Sequence, residues 1–318
     1  MAWLFLFGIR LALAMTFARC WLMVILLAAP VSLLAQTNPD WTTTIAPFQI
    51  ADNLYYVGSR DLGSYLVTTP AGNILINANV ESSPPQIRAS VEKLGFKWAD
   101  TKIFLNSQAH FDHVGGAAEV IRETHARNMV MDGDAPAMES GGHSDFGWGD
   151  DITTGFTPVD VDRILKDGDA VTLGDPKRGG VTLIAHKTAG HTRGCTTFTM
   201  QSHVKGEPAG EMRDVVIVGG VSALALYRLV DSPGHRASYP GIADDFEQTF
   251  RTLRGLKCDI FLGAHGAYFD LLEKVKRMKK EGPAVFIDPA GYRAMIDDAQ
   301  RQFEAKLRAQ QVALQRAQ

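Results

Sequence analysis

From residue 53 onward the apolar positions alternate between short runs with the two-residue period of strands and longer runs with the period of helices. Asn53–Gly58, Gly63–Thr69 and Asn73–Asn77 are β-branched or aromatic runs punctuated by Gly58, Pro70 and Gly72, and they predict three strands. Pro84–Leu94 places Ile87, Val91 and Leu94 at helical spacing, and Gly95 closes that stretch. Lys102–Asn106 predicts a buried strand, and a helix is expected to begin over Ala117–Glu123. Further strands are predicted at Asn128–Met131, Ala170–Leu173, Val181–Lys187, Thr196–Met200, Asp214–Val218 and Asp259–Leu262. Helical patterns cover Asp244–Leu256, Phe269–Glu281 and Pro289 to the C-terminus. Between Asp132 and Pro158 lies a Gly- and Asp-rich stretch that predicts one long connection, and connections of that length usually serve function. Strands with one helix, then strands with later helices, predict a layered α/β sandwich in two similar halves.

The first 35 residues do not follow this pattern. They hold Arg10 and Arg19, no acid, and an apolar run from Cys20 to Ala35 before a polar segment. That order predicts a secretory signal peptide over 1–35, cleavage after Ala35, and a mature domain over 36–318 that is periplasmic or secreted. Met15 offers an alternative start with a shorter basic region. Pro30 and the shortness of the run argue against a lasting membrane anchor.

Composition adds few constraints. With 46% hydrophobic and 21% charged residues in 318, the chain can build a sizeable core, and no linker or repeat divides it. Net charge is −3 and the basic residues are interspersed with acids, so no nucleic-acid surface is expected. The basic run Lys274–Lys280 falls on a helical pattern and reads as a solvated face. Cys195 and Cys258 adjoin apolar strand residues and read as buried free thiols, with pairing left open. A monomer is the default expectation.

The chemistry is concentrated in Gln108-Ala109-His110-Phe111-Asp112-His113, followed by Gly115 and Gly116, and in two later histidines, His191 and His265, each beside glycine. Each segment follows a predicted strand, which puts the polar groups on loops carried by a rigid scaffold. Zinc takes nitrogen and carboxylate ligands and, in catalytic sites, keeps a position for water that it makes acidic. An extended loop would alternate its side chains, so that His110 and His113 face different metals with Asp112 between them. No Gly-x-Ser-x-Gly elbow is present, and Cys195 lacks a motif that would make it a nucleophile.

These residues resemble the metallo-β-lactamase superfamily, whose first motif, His-x-His-x-Asp-His, reads Gln-Ala-His-Phe-Asp-His here. The resemblance runs from about Ile50 to about Phe303 and is closest to a Gln-bearing branch of the third subclass of class B β-lactamases. It is carried also by Leu54–Gly58, Gly72–Asn77, Met131–Ala135, Glu139–Gly142 and Thr188–Thr197. It implies a four-layer αβ/βα sandwich and one or two Zn2+ ions. One ion would be held by Gln108, His110 and His191, the other by Asp112, His113 and His265. A hydroxide between them would attack the carbonyl of a β-lactam, Asp112 would orient it, and the second zinc would stabilise the nitrogen anion as the ring opens. Ser222 matches a serine that contacts the substrate carboxylate, and Tyr65, His143 and Trp148 are further pocket candidates.

Gln108 departs from the family pattern. Its amide oxygen is a weaker ligand than imidazole, so a looser first site is expected, with the Asp112 site filling first and supporting turnover alone. Gly219-Gly220 stands where thioesterase and phosphodiesterase relatives carry a bridging aspartate, which favours the lactamase branch. The alternatives are hydrolysis of another cyclic ester or amide, such as a lactone, and a non-catalytic metal-binding scaffold.

Overall fold

The computed structural model describes residues 38–208, 210–232 and 234–317, so the expected leader lies outside the described residues. β1 (Phe48–Ala51), β2 (Leu54–Tyr56), β3 (Tyr65–Thr69), β4 (Gly72–Ile76), β5 (Thr101–Leu105), β6 (Arg127–Met131) and β7 (Arg163–Leu165) form one sheet in that spatial order. It is antiparallel as far as β4 and parallel beyond it. β8 (Asp169–Leu173), β9 (Val181–Lys187), β10 (Thr196–His203), β11 (Met212–Val218) and β12 (Ile260–Gly263) form a second sheet, in which only the β11–β12 pairing is parallel.

Strand alternation decides the layering. On the first sheet Leu66, Leu75, Phe104 and Val130 point to one face, where they pack on Ile87 and Val91 of α1 (Pro84–Lys93). Val120 of α3 (Ala117–Thr124) completes that layer. Their neighbours Tyr65, Val67, Ile74, Ile76, Ile103 and Leu105 point the other way, into a core shared with Leu183, Ala185, Phe198 and Met200 of the second sheet. A one-residue slip in register would exchange the two sets, so burial on both faces fixes the pairing. Phe246 and Phe250 of α5 (Ile242–Gly255) meet Phe303 of α7 (Pro289–Ala317), with ring centroids 5.1 and 5.7 Å apart. Helices, sheet, sheet, helices is the expected four-layer α/β sandwich. No helix of the described residues is long and apolar enough to cross a membrane.

The structure adds elements that periodicity missed. β1 and β7, four and three residues long, were not among the expected strands. The long connection after β6 contains α4 (Ala135–Glu139), whose Pro136 sits in the first turn, where a missing N–H costs nothing. The expected helix over Phe269–Glu281 starts at Leu271 as α6 (Leu271–Glu281), after a 3-10 turn.

Candidate metal centre

The ligand-type residues leave the strands at one edge of the sandwich. Gln108 to His113 follow β5, His191 lies between β9 and β10, Gly219 and Gly220 follow β11, and His265 follows β12. The two sheets are joined beside this edge. Gly63 N–H donates to Ala264 O at 2.7 Å, and the Tyr65 hydroxyl donates to Gly263 O at 2.6 Å. Tyr65 has no exposed surface, which corrects its assignment as a pocket residue. It shares the inward face of β3 with Val67, and its hydroxyl braces the strand that leads to His265.

The 108–113 segment is not the extended loop the sequence suggested. His110 is extended, but Phe111–Val114 form one helical turn, α2, with His113 N–H donating to His110 O at 2.8 Å. The turn separates His110 from the Asp112–His113 pair, so two donor groups arise from six residues. Gly115 and Gly116 follow with ordinary helical backbone. Their role is close approach, because a Cβ on Gly116 would strike Pro84 and Ala78 O.

The first group is compact. The Nε2 atoms of His113 and His265 stand 3.2 Å apart, and Asp112 Oδ2 lies 3.3 Å from the former and 3.6 Å from the latter. Donors about 2.0–2.2 Å from a tetrahedral ion lie about 3.3–3.6 Å from one another, so the triangle has the dimensions of one face of a zinc site. Asp112, His113 and His265 are a group among the described residues whose donor atoms could share one ion. Asp61 supports it: Oδ2 accepts from His265 Nδ1 at 3.0 Å and from Trp41 Nε1 at 3.1 Å, and Oδ1 accepts from Ala267 N–H. A carboxylate on the far nitrogen fixes the tautomer and leaves Nε2 free to bind.

Charge follows the same layout. Burial raises the Asp112 carboxyl, but His113, His265 and His110 outweigh it and hold the group well below its ordinary range. Burial lowers His113, while Asp61 and Asp112 lift His265 above its usual value against the same effect.

The second group is Gln108, His110 and His191. The rings of His110 and His191 are 4.9 Å apart. His191 Nδ1 donates to Ser222 O at 2.7 Å, which leaves Nε2 free, and burial with the nearby His110 pushes its imidazole down to about 3. Both amide atoms of Gln108 are buried with no hydrogen-bond partner, as are His110 Nε2 and His113 Nδ1. Orphaned buried polar atoms of this kind are costly, and a bound ion or water satisfies them. Gly220 is required here, because a Cβ at this position would collide with the His191 ring and crowd Gln108 Oε1.

Three aspartates and one tyrosine belong to the site although sequence reasoning gave them no role. Asp61 has been described. Asp134 is buried and accepts from Ala109 N–H at 2.8 Å, Thr192 Oγ1 at 2.8 Å and Gly194 N–H at 2.7 Å, so one carboxylate ties both ligand loops together. Asp145 Oδ2 lies 3.5 Å from His110 Nε2. The Tyr227 hydroxyl donates to His191 O at 2.7 Å. Asp134 falls inside Met131–Ala135, a stretch the sequence singled out, but its three donors come from two other loops distant in the sequence.

Of the pocket candidates, Ser222 is half-buried beside His191. His143 and Trp148 sit on the loop that carries Asp145, His143 exposed and Trp148 half-buried. Cys195 and Cys258 are both free and buried, and burial pushes both thiols up to about 12.

A family model described as the metallo-beta-lactamase superfamily matches residues 64–265. The structure is similar to the native FEZ-1 metallo-beta-lactamase from Legionella gormanii, with a TM-score of 0.79 and 44% identity over 85% of this chain and 98% of that one. It is similar to BJP-1, a subclass B3 metallo-beta-lactamase of Bradyrhizobium japonicum, with a TM-score of 0.77 and 36% identity over 87% and 98%. It is also similar to the metallo-beta-lactamase GOB-18 from Elizabethkingia meningoseptica, with a TM-score of 0.76 and 35% identity over 86% and 96%.

Proposed function

The chain belongs to the metallo-beta-lactamase superfamily, and we propose that it is a zinc-dependent hydrolase that opens β-lactam rings. The observation that carries this reading is the buried Asp112–His113–His265 triangle, sized for a tetrahedral ion, in a chain this similar to metallo-beta-lactamases. Asp112, His113 and His265 are the proposed holders of one zinc, and Gln108, His110 and His191 of a second. Bound there, zinc supplies Lewis acidity toward a carbonyl and lowers the pKa of water.

The remaining work falls to side chains. Asp112 is held ionised by three histidines and is placed to accept a hydrogen bond from the attacking water, which orients it. Asp61 and the Ser222 carbonyl fix the rings of His265 and His191, so neither must reorganise during the reaction. Ser222 is the proposed contact for the substrate carboxylate, with His143 and Trp148, on the loop that carries Asp145, as further candidates. The neutral Gln108 amide makes its site the weaker one, so the Asp112 site fills first and supports turnover with one metal. The basic-then-apolar composition of residues 1–35 favours a periplasmic location.

Chromogenic cephalosporin and lactone assays, with and without chelator, test this reading. Chelator-sensitive lactam turnover is the expected result. Lactone turnover alone would transfer the site to cyclic esters, and bound zinc without turnover of either would leave a scaffold. Zinc titration against activity tests the single-metal reading, which fails if activity appears only with the second equivalent.

A further inference from the structure

The loop from Gly219 to Val230 fixes His191 twice, through the Ser222 carbonyl on its ring and the Tyr227 hydroxyl on its backbone. Val221, Tyr227 and Leu229 anchor that loop in the core, while Leu224 to Leu226 between them are half-buried or exposed. A cavity of about 380 Å³ lies between Val221, Ser222 and Ala223 on the loop and Met295, Ala299 and Phe303 on α7. Contact resumes further along the same helix and is polar. Lys306 Nζ donates to the carbonyls of Leu224 at 2.7 Å and Ala225 at 2.9 Å. Gln310 Oε1 accepts from Leu229 N–H at 2.7 Å, and Nε2 donates to Tyr227 O at 2.9 Å.

Residues four apart share one helix face, so Lys306 and Gln310 act together. They engage the loop on both sides of Tyr227. Phe303, one turn earlier, is locked against Phe246 and Phe250, which gives the two tethers a rigid base. We propose that Lys306 and Gln310 are positioning residues for the metal centre, through which the C-terminal helix holds the 219–230 loop and thereby aims His191. The inference rests on the reading of His191 as a zinc ligand.

The test compares wild type with Lys306→Met, Gln310→Ala, the double variant and the conservative Lys306→Arg. Amide exchange of the metal-free protein is read first. The double variant is expected to exchange about tenfold faster at 223–230, the scale of one or two net hydrogen bonds, with β11 and α5 unchanged. Its affinity for the second zinc equivalent is expected to fall about tenfold, as for lost outer-sphere support. On a chromogenic cephalosporin kcat should drop more than KM rises, and Lys306→Arg should restore most of it. Unchanged loop exchange overturns the proposal, even if the melting temperature falls, because the contacts then only staple the helix. Faster exchange with unaltered zinc binding overturns it as well. A wild type that binds zinc but hydrolyses no β-lactam defeats the functional reading alone, since exchange and zinc affinity still report on the tether.

Discussion

The Asp112 side of the centre is organised by charge, and the Gln108 side by the backbone. Asp112 is ionised among histidines, and His265 is backed by a second carboxylate, Asp61. In the second group His191 leans on a main-chain carbonyl, the Asp145 carboxylate lies 3.5 Å from His110, and Gln108 carries no charge and no partner. A divalent cation is attracted by the first environment before any ligand bond forms, whereas the second must offset the desolvation of the ion with neutral donors. Two adjoining clusters can thus differ in metal affinity through their outer contacts as well as through their ligands.

The largest test of that contrast is Asp112→Ala. It removes the one anionic donor, and several kcal/mol of lost stabilisation corresponds to at least about a 10³-fold fall in kcat/KM. Kinetics with metal analysis decides it, and a variant that keeps a full zinc equivalent and near-normal turnover breaks the picture. Next is Asp134→Ala, which strips an acceptor from three donors on both ligand loops. Urea unfolding of the metal-free protein should show a loss of about 3 kcal/mol, while a loss below about 1 kcal/mol would mean the loops are tied elsewhere. Asp61→Asn keeps the shape and removes charge from one side only. Zinc at the Asp112 site should weaken about 10- to 100-fold, with the Gln108 site unaffected, as read by competition with a chromophoric chelator. The smallest effect is expected from Gln108→His, which should tighten the second equivalent by about tenfold and narrow the gap between the sites. If the affinities of the two equivalents in that variant remain as far apart as before, the asymmetry does not come from residue 108.

The donors were legible in the sequence because histidine and aspartate at strand ends beside glycine have few other uses. The layers were legible because Leu66 and Leu75 alternate with residues bound for the opposite face. Strand parity also carried the right place for Tyr65, since it shares a face with Val67, although its aromatic ring and hydroxyl also suit a pocket wall. Asp61 reads locally as an ordinary turn residue, and only the fold brings it to a histidine 204 positions away. Lys306 and Gln310 look like solvated helix residues until the loop they hold is in place. β7 was missed because Arg163–Leu165 lies among charged residues, and β1 because Gln49 interrupts its apolar positions, whereas β12, as short as β1, is continuously apolar.

His113 and His265 meet across 152 residues, and Tyr65 reaches Gly263 across 198. Contacts of such span are slow to form. The Asp112–His113 pair comes from the first sheet and the third donor from the second, so neither sheet alone can complete the triangle. Closure of the triangle thus requires the two sheets to have docked.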